Sequence, residues 1–163
     1  MKRMFISQVL AIVLATVTLL CLTGCHKETE EDKIKNVIAE IQKTAREKDL
    51  GAVLGHLSKT YHDPQGNNYD GIKGLLLFFF MKHRQVNAYV SNLDISIENN
   101  AAQASFQAVL TGAGGGAPEG GTGLLPEALG VYAFNVTMQK ESGAWKITSA
   151  KWERINEGQV PKE

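Results

Sequence analysis

Tyr61-His62-Asp63 sets a base beside an acid, and such a pair could orient a proton transfer. Neighbouring residues in a loop usually point apart, however. The triplet runs into Asp63-Pro64-Gln65-Gly66-Asn67-Asn68, a loop by composition. It therefore reads first as polar loop and only second as machinery. His83-Arg84 is expected at the end of a helix, where cations suit the helix dipole. The four histidines, His26, His56, His62 and His83, show no metal-ligand spacing and have no cysteine to join them, so no metal and no cofactor is expected. Gly112-Ala113-Gly114-Gly115-Gly116-Ala117 fits a loose dinucleotide-type glycine pattern, but Pro118 follows and no βαβ unit surrounds it. Asp94 is out of phase with Leu93 and Ile95 and should be solvated. What remains is aromatic. Tyr61, Tyr69, Phe78, Tyr132 and Trp152 could line a pocket mouth, each offering an apolar body with a polar tip or edge.

The elements that must position these residues follow from periodicity. Thr29-Glu30-Glu31-Asp32 has the form of a capping box. Ile34, Val37, Ile38, Ile41 and Ala45 then recur at helical spacing, giving an amphipathic helix that ends near Lys48. A shorter helix is expected from Asp49, with Leu50, Val53, Leu54 and Leu57 inward. A third is expected from Asp70 to about Val86. Its run Leu75-Leu76-Leu77-Phe78-Phe79-Phe80-Met81 is apolar on every side. Either two faces are covered, or part of it lines a cavity or a contact surface. Beyond it the period changes to two. Leu93, Ile95 and Ile97 alternate with polar residues, then Ala102 to Leu110, Tyr132 to Met138, and Trp145 with Ile147. Asn99-Asn100 and Ser142-Gly143 supply turns, and the pattern is an antiparallel meander with one buried face. The alternation breaks between Ile147 and Trp152, which places a bulge near Ser149. Eight of the nineteen residues from Gly112 to Gly130 are glycine, which reads as a surface loop or flap. No Asp or His falls on the inward faces in this register, so a non-catalytic binding domain is expected.

The chain has 163 residues, enough for one domain, and zero formal charge, so no basic field points to nucleic acid. Lys2 and Arg3 precede an uncharged run from Met4 to Leu22, about long enough to cross a bilayer. An uncleaved anchor and a removed signal peptide both fit that run. Leu22-Thr23-Gly24-Cys25 resembles the lipobox of bacterial lipoproteins, which favours removal. The resemblance implies a signal peptide over 1–24, an acylated Cys25, and a lipidated tether over 25–31. It also implies membrane attachment in a bacterial cell envelope. With His26 rather than Asp after the cysteine, the outer membrane facing the periplasm is implied if the cell is Gram-negative. Cys21 falls in the discarded segment, so the remaining chain would have no free thiol and no disulfide.

Helices first, then a curved antiparallel sheet closing on Gly143-Ala144-Trp145-Lys146-Ile147, resembles the nuclear transport factor 2-like (cystatin-like cone) superfamily. The resemblance is carried by the helix at 34–41, the loop and helix at 61–86, and the terminal hairpin at 131–155. It implies an α+β cone over 32–157: three helices packed on a curved sheet of about four strands, with a Gly-rich loop at 112–130 and a tail at 158–163. It also implies a pocket between sheet and helices. Three uses of that pocket or its outer faces are expected to compete. One is holding a small apolar ligand or a protein segment. Another is isomerase- or hydratase-type catalysis. The last is a structural role in an envelope complex. The oligomeric state is left open.

Overall fold

The computed structural model describes residues 28–114 and 127–155. The expected signal segment over 1–24, Cys25 and the first residues of the expected tether, the middle of the Gly-rich loop and the tail lie outside the described residues.

Helix α1 spans Glu30–Glu47, and its start is the predicted capping box: Thr29 accepts from the Asp32 amide while the Asp32 carboxylate accepts from the Thr29 amide. Three acidic residues in the first turn complement the helix dipole, and Lys48 ends the helix in the left-handed region. Helix α2, Leu50–Gly55, is capped by Asp49. Helix α3 spans Tyr69–Lys82 and is capped by Asn68, not by Asp70 as expected. Four antiparallel strands follow in the order of the chain: β1 His83–Glu98, β2 Ala101–Gly114, β3 Glu127–Glu141 and β4 Ala144–Ile155.

Two expectations are corrected here. The third helix does not reach Val86; it stops at Lys82, and the chain turns straight into β1 at His83. His83 is thus both the C-cap, at the helix end where it is expected, and the first strand residue, and its side chain is buried. The physical reason is pairing. Gln85 to Ser91 are bonded to Ala113 to Gln107 of β2, which offsets any helical preference of this stretch. Gly112–Gly130 is likewise not all loop. β2 continues to Gly114 and β3 begins at Glu127, since ladder bonds need only backbone groups.

All three helices lie on one face of the sheet. Ile34, Ile38, Leu54, Ile72, Ala102, Ala104, Val136, Met138, Trp145 and Ile147 form the main core. Residues 56–62 run along the open edge of β4, with Ser58 N–H donating to Ile147 O (2.8 Å) and His62 N–H to Thr148 O (3.0 Å), so that edge is covered. At the hairpin of β3 and β4, Ser142 and Gly143 both take positive φ (49° and 86°), the turn geometry that matches strand twist.

Candidate functional site: the apolar cone

β1 and β4 are each re-aimed by an irregularity. In β1 the register shifts between Ser91 and Asp94, where Asn92 has φ 53°. In β4, Thr137 pairs with Ser149 and Met138 with Ile147, so Thr148 is the extra residue of a bulge. Beyond that bulge, Ala150 and Trp152 return to the inner face. The sheet therefore curls, and at its wide end it stands off the helices.

The gap is a cavity of about 370 Å³. Its walls come from every element. α1 gives Ile38, Ile41 and Gln42, and α3 gives Leu75, Leu76, Phe79 and Phe80. The strands add Val86, Ala88 and Val90, then Phe106, Ala108 and Leu110, then Tyr132, Phe134 and Val136, and Trp152. Phe106 and Phe134 are stacked across β2 and β3, with centroids 5.2 Å apart, and Tyr132 tilts against Phe134. Among the described residues the lining contains no Asp, Glu, Lys, Arg or His; its polar side chains are Gln42, Tyr61, Tyr132 and Trp152. The Gln42 amide is already committed, donating to Ala88 O at 3.1 Å.

Of the five aromatic residues expected at a pocket, the structure brings together Tyr61, Tyr132 and Trp152. It does not bring Tyr69 and Phe78 there. Tyr69 sits in the first turn of α3, where the Lys59 ammonium meets its hydroxyl at 2.6 Å. Phe78 points away from the sheet and is exposed, because the inward stripe of α3 runs through Ile72, Leu76, Phe79 and Phe80. A run apolar on all sides gives no signal of which side turns inward.

The Tyr61-His62-Asp63 triplet splits as loop neighbours do. His62 is exposed while Tyr61 and Asp63 are buried. Asp63 is a polar loop residue, as its sequence neighbourhood predicts, but a buried one, only 2% exposed. Its Oδ1 accepts from the Asn67 amide (2.9 Å) and its Oδ2 from the Tyr61 hydroxyl and the Asn67 side chain (both 3.0 Å). The missed signal was Asn67 four residues on, a donor able to close the loop on the acid. Burial pushes the Asp63 carboxyl up, but the Asn67, Tyr61 and Gln65 hydrogen bonds outweigh it and hold it below its ordinary value. Burial, with Asp63 beside it, pushes the Tyr61 phenol up. The pair is an ionised carboxylate and a neutral phenol, fully engaged with each other and the loop. Asp63 is not on the cavity wall and has no free lone pair aimed at a ligand, so it is not placed as a general base.

His83 is buried against Phe79 (centroids 4.7 Å apart), with no partner for Nδ1, and it too is off the cavity wall. A second, more open depression of about 470 Å³ lies outside the cone between α1, α2 and the hairpin of β3 and β4. Charges of both signs flank it, including Glu28, Lys33, Glu40 and Lys146, with His56 among them. Burial, then Lys146, lowers the pKa of His56. The cone is the better enclosed of the two. Among the described residues no group of His, Cys, Asp and Glu is arranged to hold a metal ion.

No protein-family model matches the sequence, and no curated protein matches it either. Solved structures do match. The fold is the nuclear transport factor 2-like, cystatin-like cone. A protein of that description from Novosphingobium aromaticivorans superposes with TM-score 0.62 at 13% identity, over 91% of each chain. A provisionally named scytalone dehydratase from the same organism gives TM-score 0.68 at 14% identity, over 78% of this chain and 85% of its own. Bd1075 of Bdellovibrio bacteriovorus gives TM-score 0.62 at 12% identity; 80% of this chain is covered but only 44% of that one. At such identities the likeness extends to the cone and not to its chemistry.

Proposed function

We propose that this chain is a bacterial envelope lipoprotein whose cone holds a small, uncharged apolar ligand without transforming it. The observation that carries the reading is the cavity wall. It is apolar and aromatic, and among the described residues its only titratable side chains are Tyr61 and Tyr132. An ionic ligand entering it would lose its hydration with no counter-charge to replace it, at a cost of several kcal/mol. An apolar one gains with every Å² of its surface that the wall takes out of water.

The lipoprotein half of the proposal rests on the lipobox at Leu22–Cys25 and on the short polar tether behind it. Five extended residues reach about 17 Å at most, which would hold the domain close to the bilayer. Outer-membrane placement follows from His26 if the cell is Gram-negative. Cys25→Ala should leave the chain unprocessed and unacylated, read as the retained mass of the N-terminal segment. Processing of that variant to the wild-type size would remove this half of the proposal.

The ligand half is tested by native mass spectrometry of the protein purified gently from its own host. A bound apolar molecule is expected, and it should be lost in Ala108→Trp, which fills the cavity from β2. An empty wild-type chain would overturn it. A dehydratase-type reading is favoured by the names of some fold neighbours and by the buried Tyr61–Asp63 pair. It requires a ligand that is converted. Recovery of the bound molecule unchanged after long incubation decides against it.

A further inference from the structure

Helix α3 has two apolar faces, and only one of them is used by the fold. Ile72, Leu76, Phe79 and Phe80 turn inward. On the other side Leu75 and Leu77 are each 46% exposed, Phe78 67% and Met81 78%. Spacings of three and four residues make these four neighbours on the helix surface, a contiguous patch and not scattered singles. Gly74, within the same stripe, has no atom of the described residues within 4 Å of where a side chain would stand, so none of them covers this face there.

The charges around the patch are mostly of one sign. Lys73 and Lys82 bracket it on the helix and Arg84 follows it, all exposed. The one acidic residue of α3, Asp70, is spent at the first turn, where it complements the helix N-terminus. Large apolar side chains between exposed cations are what a helix needs in order to lie in a bilayer interface. The apolar groups enter the headgroup–acyl boundary while Lys and Arg reach back to phosphates. A second copy of this chain is a poorer fit. In a two-fold contact through α3 the same patch meets itself, so the three cations of each copy would be brought together with only Asp70 of each to offset them. The membrane tether proposed above would also keep a bilayer close at hand, and to that extent the docking rests on it. The uncharged run Met4–Leu22, whether cleaved or kept, ends only a few residues before α1.

We propose that α3 docks on the surface of an anionic phospholipid bilayer through Leu75, Leu77, Phe78 and Met81, with Lys73, Lys82 and Arg84 on the headgroups. Leu75 belongs both to this exposed face and to the cavity wall. The cone therefore opens beside the docked helix, and its apolar ligand can pass from the membrane without crossing water. That second role rests on the ligand-binding function proposed above; the docking does not.

The test uses the full chain reconstituted in phosphatidylcholine vesicles with and without phosphatidylglycerol, doped with a phospholipid carrying a diazirine on its acyl chain. After photolysis, adducts are mapped by peptide mass spectrometry. Adducts are expected on Leu77, Phe78 and Met81, on the order of tenfold more abundant when phosphatidylglycerol is present, since each cation near the surface adds to the attraction. Lys73→Gln/Lys82→Gln/Arg84→Gln should bring them back to the phosphatidylcholine level. Phe78→Asp/Met81→Asp should abolish them, with circular dichroism confirming that both variants fold. Adducts confined to residues 1–27 would overturn the docking while leaving the chain on the membrane. Adducts on Phe106 or Phe134 without any on Phe78 would overturn it while leaving the ligand-binding cone intact. A Phe78-dependent dimer with no lipid adducts would replace the bilayer with a second copy.

Discussion

Asp63 shows how much one carboxylate can do when it is buried among donors. It takes hydrogen bonds from the Asn67 backbone and side chain and from Tyr61, and so it fastens the 63–67 turn to the residue that forms part of the cavity wall. Asn at position 63 would keep the shape but turn one acceptor into a donor facing Asn67. Asp63→Asn should therefore cost about 1.5–3 kcal/mol at neutral pH, the range for hydrogen bonds to a charged group. The pH dependence follows from the depressed pKa. The stabilisation is present above the ordinary carboxylate value of 3.8 and is lost as pH falls through the lower folded value. Urea midpoints of wild type and variant should differ at pH 7 and converge in acid. A constant gap would show that the carboxylate charge is not what holds the turn. At this scale the sequence is least informative. Tyr61-His62-Asp63 looks the same whether its acid is solvated or buried, and only the three-dimensional position of Asn67 separates the two.

Elements are more legible, and the reasons differ from one to the next. The capping box at Thr29 and the Ser142-Gly143 turn rest on local backbone chemistry, so they can be read from a few residues. The meander and its inward faces follow from period-two alternation, and the bulge at Thr148 from the break in that alternation. The end of α3 was not legible. Gln85 to Ser91 become strand by pairing with residues some twenty positions away, which no local pattern reports. Which face of α3 turns inward was equally hidden, and with it the placement of Phe78. One junction between elements can be tested directly. Glu30, at the start of α1, accepts from Lys33, from Lys140 (2.9 Å) and from the Trp145 indole (2.8 Å), tying α1 to the β3–β4 hairpin. Those hydrogen bonds, Lys33 first, hold its pKa at about 2 instead of 4.5. A depressed folded value means stability that is complete above pH 4.5 and lost as pH falls through about 2. Wild-type stability should therefore decline across that window. Glu30→Gln should lack that part of the decline, which denaturation midpoints taken across the window will show.

Taken whole, the molecule divides its apolar interior between two tasks along the axis of the cone. At the narrow end α1 lies directly on the sheet. Ile34, Ala104 and Met138 are fully buried there, with Trp145 beside them, and the packing is solid. At the wide end Phe106, Tyr132, Phe134 and Trp152 are only partly buried against the core and face the cavity. Stability and binding should accordingly come apart under mutation. Met138→Ala removes a fully enclosed side chain, leaves a hole the neighbours cannot fill, and should cost about 2–5 kcal/mol. The ligand should still be carried by whatever fraction of that variant is folded. Phe134→Ala enlarges a space that already exists, so the lost packing is chiefly one side of a ring and its stack on Phe106. Its cost should fall below that of Met138→Ala, although more atoms are removed. Its ligand occupancy in native mass spectra should drop by on the order of tenfold, since a lost aromatic stack and its contact area together are worth about 1.4 kcal/mol or more. The reverse order, with Phe134→Ala the more destabilising and binding untouched, would mean that the wide end is core and that the cavity is not where this protein does its work.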